Sequence, residues 1–448
     1  MLKRLKQKAQ DDWSLFLGNY WIGRKPFYTP DDPQWSQQSI SFPFVWLILV
    51  GIALLFSPMP SDDLLRHVHA WQYDYDYRQM FDGYPYHFDA WFGFDWAVGQ
   101  LYQYFGDFAI KIVQATSIGL LALVIYLNLR GVHRDARILV VLIVIWLVGS
   151  RFLLARPTTF ETLLMFLAIA LTYYPIKPKW DRLIHLTLGC LMVSFYHLFF
   201  IYLIPLLIWR RIYLLPMLLG LAGWQWLTGG QYFQEVVDIF NFGEMRIPGI
   251  KVSENEFALP LALLFIGFLV LFVYKWQRSD KQWALTAAWF TLPMQIRYVV
   301  DNLVPIIAIL LARHWPLRPH PFLLLFMVIM VKTAIGGAGF YFTEKDTEKQ
   351  PTYFSENEHV MAQNLGVNFW VINQGAAQHI KVAPAMEIGF SNKDVQQAVL
   401  DKTVTCEFLH KYQFDKYVEN SAVDLPLTCL KLQTSTPEGY KIWQVHHE

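Results

Sequence analysis

Between residues 42 and 337 the chain carries eleven apolar stretches, joined by polar connections whose charge alternates in sign. The clearest stretches are 42–56, 108–129, 138–154, 160–174 and 257–274, and shorter ones fall at 183–195, 198–209, 212–227, 283–296, 303–312 and 321–337. The hydrocarbon core of a bilayer, about 30 Å thick, is crossed by roughly 20 apolar residues in a helix. Only helices and closed barrels satisfy every backbone group there. Several of the eleven are short for a full crossing and suit helices that enter only part way.

Lys and Arg beside membrane spans accumulate on the cytoplasmic side. With the N-terminus inside, that side receives Lys3 to Lys8, then Arg130, Arg134 and Arg137, then Lys177, Lys179 and Arg182, then Arg210 and Arg211, then Lys275, Arg278 and Lys281, and finally Arg313 and Arg318. The alternate connections hold Asp62, Asp63, Asp74, Asp76, Asp82, Asp89 and Asp95, then Glu161, then Glu235 to Glu256, then Asp301. Removing one span breaks this order, and with eleven the C-terminus lies outside. Composition agrees: 16% of residues are charged and 54% hydrophobic, where about 25% charged is usual in soluble domains. Lys+Arg (37) and Asp+Glu (36) nearly cancel, so the field that a nucleic-acid binder uses is missing and nucleic acid is not an expected partner.

These features predict an α-helical polytopic membrane protein in three parts. Residues 1–41 form a cytoplasmic segment, 42–339 a membrane domain of about eleven spans, and 340–448 a small α/β extracytoplasmic domain. The first forty residues do not read as a signal peptide, because Lys3 to Lys8 lead into Asp11 and Asp12 rather than an apolar core. In the outer domain, 368–372 and 381–383 read as strands and 393–400 as helix. Cys190 falls within a span, whereas Cys406 and Cys429 share the outer domain. There an oxidising compartment permits a disulfide, with two small buried thiols as the alternative.

The first outer loop, 57–105, holds the densest chemistry. Ser61 is suited to cap a helix whose first turn carries Asp62 and Asp63, with Arg66 and His67 four residues on. A capped helix with surface ion pairs accounts for these residues; at a membrane surface, adjacent carboxylates also mark a functional site. Aromatic and acidic residues then alternate from Trp71 to Trp96, a pattern suited to the membrane interface and to holding sugars. The second outer loop carries Arg151, Arg156, Pro157 and Glu161; Glu161 is either a helix-dipole partner or a cavity charge answered by Arg151, Arg156 or a metal. His197 and Arg297 fall at further outward turns, where imidazole and guanidinium suit a phosphate headgroup. No nucleotide-binding glycine pattern, zinc spacing or serine-nucleophile elbow occurs.

An outward first loop opening on Asp62–Asp63, an Arg-Pro turn before Glu161, a late outward arginine and a C-terminal outer domain together resemble the GT-C superfamily of membrane glycosyltransferases. The resemblance implies transfer of a sugar from a polyprenyl-phosphate donor to an acceptor hydroxyl on the outer face of a bacterial inner membrane, the acceptor being a glycan, lipid or protein such as pilin. It implies Asp62 and Asp63 as catalytic acids. Glu161, Arg66, His67, His197, Arg297 and Arg156 would bind substrate, and Mg2+ or Mn2+ would be held, if at all, by Asp63 and Glu161. The Trp-Trp-Asp element of the oligosaccharyltransferase branch is missing, which favours the branches resembling pilin arabinosyltransferases or lipid- and polysaccharide-modifying transferases. The alternatives are a polysaccharide polymerase or ligase, and a flippase for a lipid-linked substrate.

Overall fold

A computed structural model describes residues 41–56, 59–60, 64–82, 89–132, 134–174, 176–234, 236–237, 278–291, 296–314, 342–343, 353–384, 393–401, 403–420 and 427–447. The helical body comprises α1 (Ser41–Phe56), α2 (Leu64–His69), α3 (Tyr77–Met80), α4 (Phe92–Phe105), α5 (Phe108–Asn128), α6 (Arg134–Leu153), α7 (Pro157–Leu171), α8 (Pro178–Phe195), α9 (Phe200–Leu207), α10 (Leu214–Leu227), α11 (Arg278–Thr291) and α12 (Ile296–His314). Nine of the eleven apolar stretches coincide with described helices. The stretches 257–274 and 321–337 lie outside the described residues, as does the N-terminal segment 1–40. Among the described residues, Phe108–Asn128 and Ala136–Leu153 are each long and apolar enough to cross a membrane.

Helix starts follow local chemistry. Pro157 and Pro178 occupy first-turn positions of α7 and α8, where proline's fixed φ suits the helix and its missing N–H costs nothing. Helix α5 packs against α1, α6 and α7, while α12 packs on α6 and α11. Trp46 Nε1 donates to the Gly119 carbonyl at 2.7 Å, so α1 and α5 approach closely where residue 119 has no side chain. Between Arg137 and Arg151 on α6 no charged residue intervenes, a rise of about 21 Å at 1.5 Å per residue. The described ion pairs of the helical body lie at its two ends. Arg151 pairs with Asp301 at one, and Arg210 with Asp181 and Arg313 with Asp280 (3.0 Å) at the other. Leu47, Leu147, Leu191, Leu218 and Leu285 project from the helices exposed.

The C-terminal domain is a five-stranded sheet of order β4–β3–β5–β7–β6, formed by β3 (His359–Ala362), β4 (Lys381–Ala383), β5 (Lys416–Glu419), β6 (Leu430–Ser435) and β7 (Lys441–Val445). Strands β4, β3 and β5 are parallel; β7 runs antiparallel to β5 and β6. Helices α13 (Leu365–Gly375), α14 (Lys393–Asp401) and α15 (Cys406–Lys411) make the connections. The run 368–372, expected as a strand, is therefore helix. Asn364 caps it by accepting from the Val367 N–H at 3.1 Å, and Val367, Trp370 and Val371 bury one face at helical spacing. That buried face outweighs the strand preference of the β-branched and aromatic residues. The expected strand at 381–383 and helix over 393–400 are present. Cys406 and Cys429 are joined as a disulfide, so of the two alternatives the bridge holds.

This domain is docked on the first loop. Strand β1 (Met59–Pro60) pairs antiparallel with β2 (Phe342–Thr343). The Asp82 N–H donates to the Val382 carbonyl at 2.9 Å, extending β4, and the Tyr73 hydroxyl donates to the Ile380 carbonyl at 2.9 Å. The Asp82 carboxylate also faces Lys381 (3.3 Å) and His359 (3.7 Å). Helix α2 lies against α13, with His69 3.2 Å from Asn373. One apolar core runs through both parts.

Candidate active site

All six residues of α2 are buried, in contrast to the surface helix that a short polar segment suggests. Docking of α13 on one side and α4 on the other accounts for this. The Arg66 guanidinium stacks 4.4 Å from the Trp91 ring and 5.6 Å from that of Tyr77. Its Nη2 lies 3.4 Å from His67 Nε2. On the other side of the imidazole, His67 Nδ1 hydrogen-bonds Asp95, whose second oxygen accepts from the Tyr77 hydroxyl at 2.5 Å. Asp89 accepts from the Trp91 N–H at 2.8 Å and shares a hydrogen bond with Asp95.

Burial pushes the Asp95 carboxyl well above the usual carboxylate range, and the neighbouring Asp89 charge adds to the rise. Burial raises Asp89 as well, against the Trp91 N–H, the Asp95 hydrogen bond and the Arg66 charge. Two carboxyls this close do not both ionise, so the pair keeps one proton. Its remaining negative charge answers Arg66, as a buried guanidinium requires. Burial, with the charges of Asp95 and Asp89, likewise raises the Tyr77 hydroxyl and keeps it a donor.

Gly93 brings α4 against the end of α8: a Cβ there would stand 2.6 Å from the Ser194 carbonyl oxygen. Just beyond that contact the His197 N–H donates to the Ala90 carbonyl at 2.9 Å, and the Tyr232 hydroxyl donates to the His197 carbonyl. The His197 ring stands edge-on to Trp91 (centroids 5.9 Å) and Tyr196 (5.0 Å). It is 3% exposed, and neither ring nitrogen has a hydrogen-bond partner. Burial lowers its pKa to about 3, against the small opposing effect of the Ala90 bond. As a neutral imidazole it offers a ligand one donor and one acceptor rather than positive charge.

Glu161 lies in the second turn of α7, fully buried, with no hydrogen-bond partner for either oxygen. Its neighbour Phe160 packs on Phe94 (5.4 Å), which packs on His67 (5.1 Å), so two rings separate its helix from the histidine. Thr162 donates to the Asn302 side-chain oxygen at 3.2 Å, holding α12 beside α7. Arg151, one expected partner of Glu161, instead forks onto Asp301, with its second bond at 3.3 Å. Arg156 stands in extended conformation as the residue that begins α7. Arg297 lies on α12 one turn ahead of Asp301.

The structure thus gathers Arg66, His67 and His197 around Trp91, with Glu161 on the adjacent helix. Asp62 and Asp63 immediately precede α2 and lie outside the described residues, so the expected Asp62–Arg66 and Asp63–His67 pairs do too. Sequence reading missed Asp89, Asp95, Tyr77 and Trp91 as site residues. Their signal was the interleaving of acids and rings from 71 to 96, but nothing in it says that Asp95 meets a histidine 28 residues earlier. Among the described residues no group of three or more His, Cys, Asp or Glu side chains is arranged to hold a metal ion. The unpartnered Glu161 oxygens suit a donor-bearing or cationic ligand. No protein-family model matches the chain, and no curated protein or solved structure does either.

Proposed function

We propose that the chain is an integral membrane glycosyltransferase that moves a sugar from a polyprenyl-phosphate carrier to an acceptor hydroxyl on the extracytoplasmic face. The observation that carries this reading is the buried polar cluster between the apolar helices and the C-terminal domain. Arg66, His67, Asp89 and Asp95 are bonded there, while Glu161 and His197 are buried without partners. Unsatisfied buried polar groups cost about 1–3 kcal/mol each, and such groups gathered beside perturbed carboxyls mark functional sites. The wide apolar surface of the helices supports a lipid setting. The Cys406–Cys429 disulfide supports an oxidising compartment for the C-terminal domain, in line with the alternation of loop charges.

In this reading the acceptor oxygen bonds to the anomeric carbon as the bond from that carbon to the phosphate oxygen breaks. The electron pair leaves on the phosphate, which needs cations, and the hydroxyl proton needs a base. Asp62 or Asp63 supplies the base. Arg297 and Arg156 are the outer-end arginines suited to the phosphate, and Glu161 with His197 orients hydroxyl groups of the substrates. A divalent cation, if one takes part, would sit on Glu161 and Asp63 and neutralise phosphate charge.

The test uses the full chain in lipid nanodiscs, supplied with undecaprenyl-phosphate-linked glucose, mannose and arabinose, and follows sugar release to water or transfer to a soluble glycan. Wild type should consume at least one donor. Asp62→Ala and Asp63→Ala should abolish this with unchanged melting temperature, and full turnover in both variants would retire the assignment.

A further inference from the structure

Four ionisable side chains behind the first-loop aspartates, Tyr77, Asp95, Asp89 and His67, form a continuous hydrogen-bonded chain with no exposed member. A buried imidazole with one nitrogen on a carboxylate has only its other nitrogen free to gain a proton. For His67 that is Nε2, because Nδ1 donates to Asp95. Asp95 is in turn held from its far side by the Tyr77 hydroxyl at 2.5 Å, so the ring cannot turn without breaking two bonds. Phe94 and Trp91 pack edge-on to the imidazole at 5.1 and 5.6 Å and close off its faces. A structural pair needs neither the second carboxyl nor the second lock. A proton store needs both, because the carboxyl pair can then meet an imidazolium with negative charge.

We propose that this chain is the proton relay of the transfer reaction, an inference that rests on the glycosyltransferase reading. The acceptor hydroxyl gives its proton to the Asp62–Asp63 pair as the new glycosidic bond forms. The proton then passes to His67 Nε2, one helical turn further along the chain, and the phosphate leaves with the electron pair of the broken bond. Asp95 and Tyr77 are positioning residues that fix the tautomer and orientation of His67. The groups that face the imidazole are Arg66 on its own helix, Tyr77 from α3, Asp95 from α4 and, through Asp95, Asp89. Arg66, 3.4 Å from Nε2, favours prompt release of the proton once product leaves.

The experiment uses the full chain in nanodiscs with the same three undecaprenyl-phosphate sugars. It measures kcat, KM and the pH profile of kcat for wild type, His67→Gln, Asp95→Asn and Tyr77→Phe. Positioned acid–base groups contribute about 10²–10⁴-fold, so His67→Gln should lower kcat by about 10²-fold with KM within threefold. Asp95→Asn should lower kcat and displace the pH limb that wild type shows, and Tyr77→Phe should do the same more weakly. A merely structural chain would leave the pH limb in place in every variant that folds, and that result overturns the proposal. So does His67→Gln with wild-type kcat. If His67→Gln fails to fold, Asp95→Asn and Tyr77→Phe decide by the same pH criterion. A wild type that consumes none of the donors retires the glycosyltransferase reading and the relay with it, whereas consumption with unaltered variant profiles retires the relay alone.

Discussion

Replacing His197 by Phe should make the protein more stable while impairing its activity. The imidazole is 3% exposed and neither nitrogen is hydrogen-bonded, whereas the backbone bonds to Ala90 and Tyr232 survive the substitution. Removing buried unsatisfied polar atoms in favour of an apolar ring should contribute about 1–3 kcal/mol. The same change removes an acid liability. With its folded pKa lowered to about 3, His197 binds fewer protons folded than unfolded at any pH between there and the unfolded value near 6.5. Stability from this group is therefore intact above that value and is lost as pH falls below it, by about 1.4 kcal/mol per unit. Between pH 7 and pH 5 wild type should lose about 2 kcal/mol that His197→Phe keeps. Across 448 residues, at about 2.1 cal/mol/K of unfolding entropy each, that difference is about 2 °C in Tm. Tryptophan-fluorescence melts of both proteins in nanodiscs at pH 7 and pH 5 measure it. Identical acid sensitivity in the two would refute the buried-neutral assignment. A stabilised variant that retains full transfer activity would remove His197 from the site.

Opposite pH behaviour is expected from the Asp89–Asp95 pair, whose carboxyls are raised by burial. Each holds its proton more tightly folded than unfolded, so stability is lost as pH climbs from the ordinary carboxylate range to the raised values. Asp95→Asn should flatten that fall in a pH series of melts, and an unchanged slope would show that the pair does not share a proton. In the C-terminal domain, Cys406→Ser opens a bridge spanning 23 residues and should cost about 3 kcal/mol. The measurement is a melt with and without reductant, which should shift wild type and leave the variant unmoved.

Much of the architecture was legible in the sequence, for a physical reason. Apolar runs near twenty residues report burial or lipid directly, and nine such runs coincide with described helices. Prolines at 157 and 178 announced where helices begin, and the outer-domain strand at 381–383 and helix over 393–400 follow from local pattern. Local pattern failed at 368–372, where strand-forming residues became helix because a cap and a buried face decided the matter. Candidate residues could be named by type, as Arg66, His67, Glu161 and His197 were, since polar groups in an apolar setting stand out. Their partners could not, because partnership depends on how the chain returns in space. Asp95 lies on a different helix from His67, Arg151 answers Asp301 across 150 residues, and Glu161 is left with nothing. Sequence by itself determined the elements and the kinds of group at each end of the helical body, through hydrophobicity and charge. Only the tertiary structure decided which of those groups are buried, which neutralise one another and which remain for a substrate, since desolvation and hydrogen-bond geometry exist only once the helices and the C-terminal domain have closed around them.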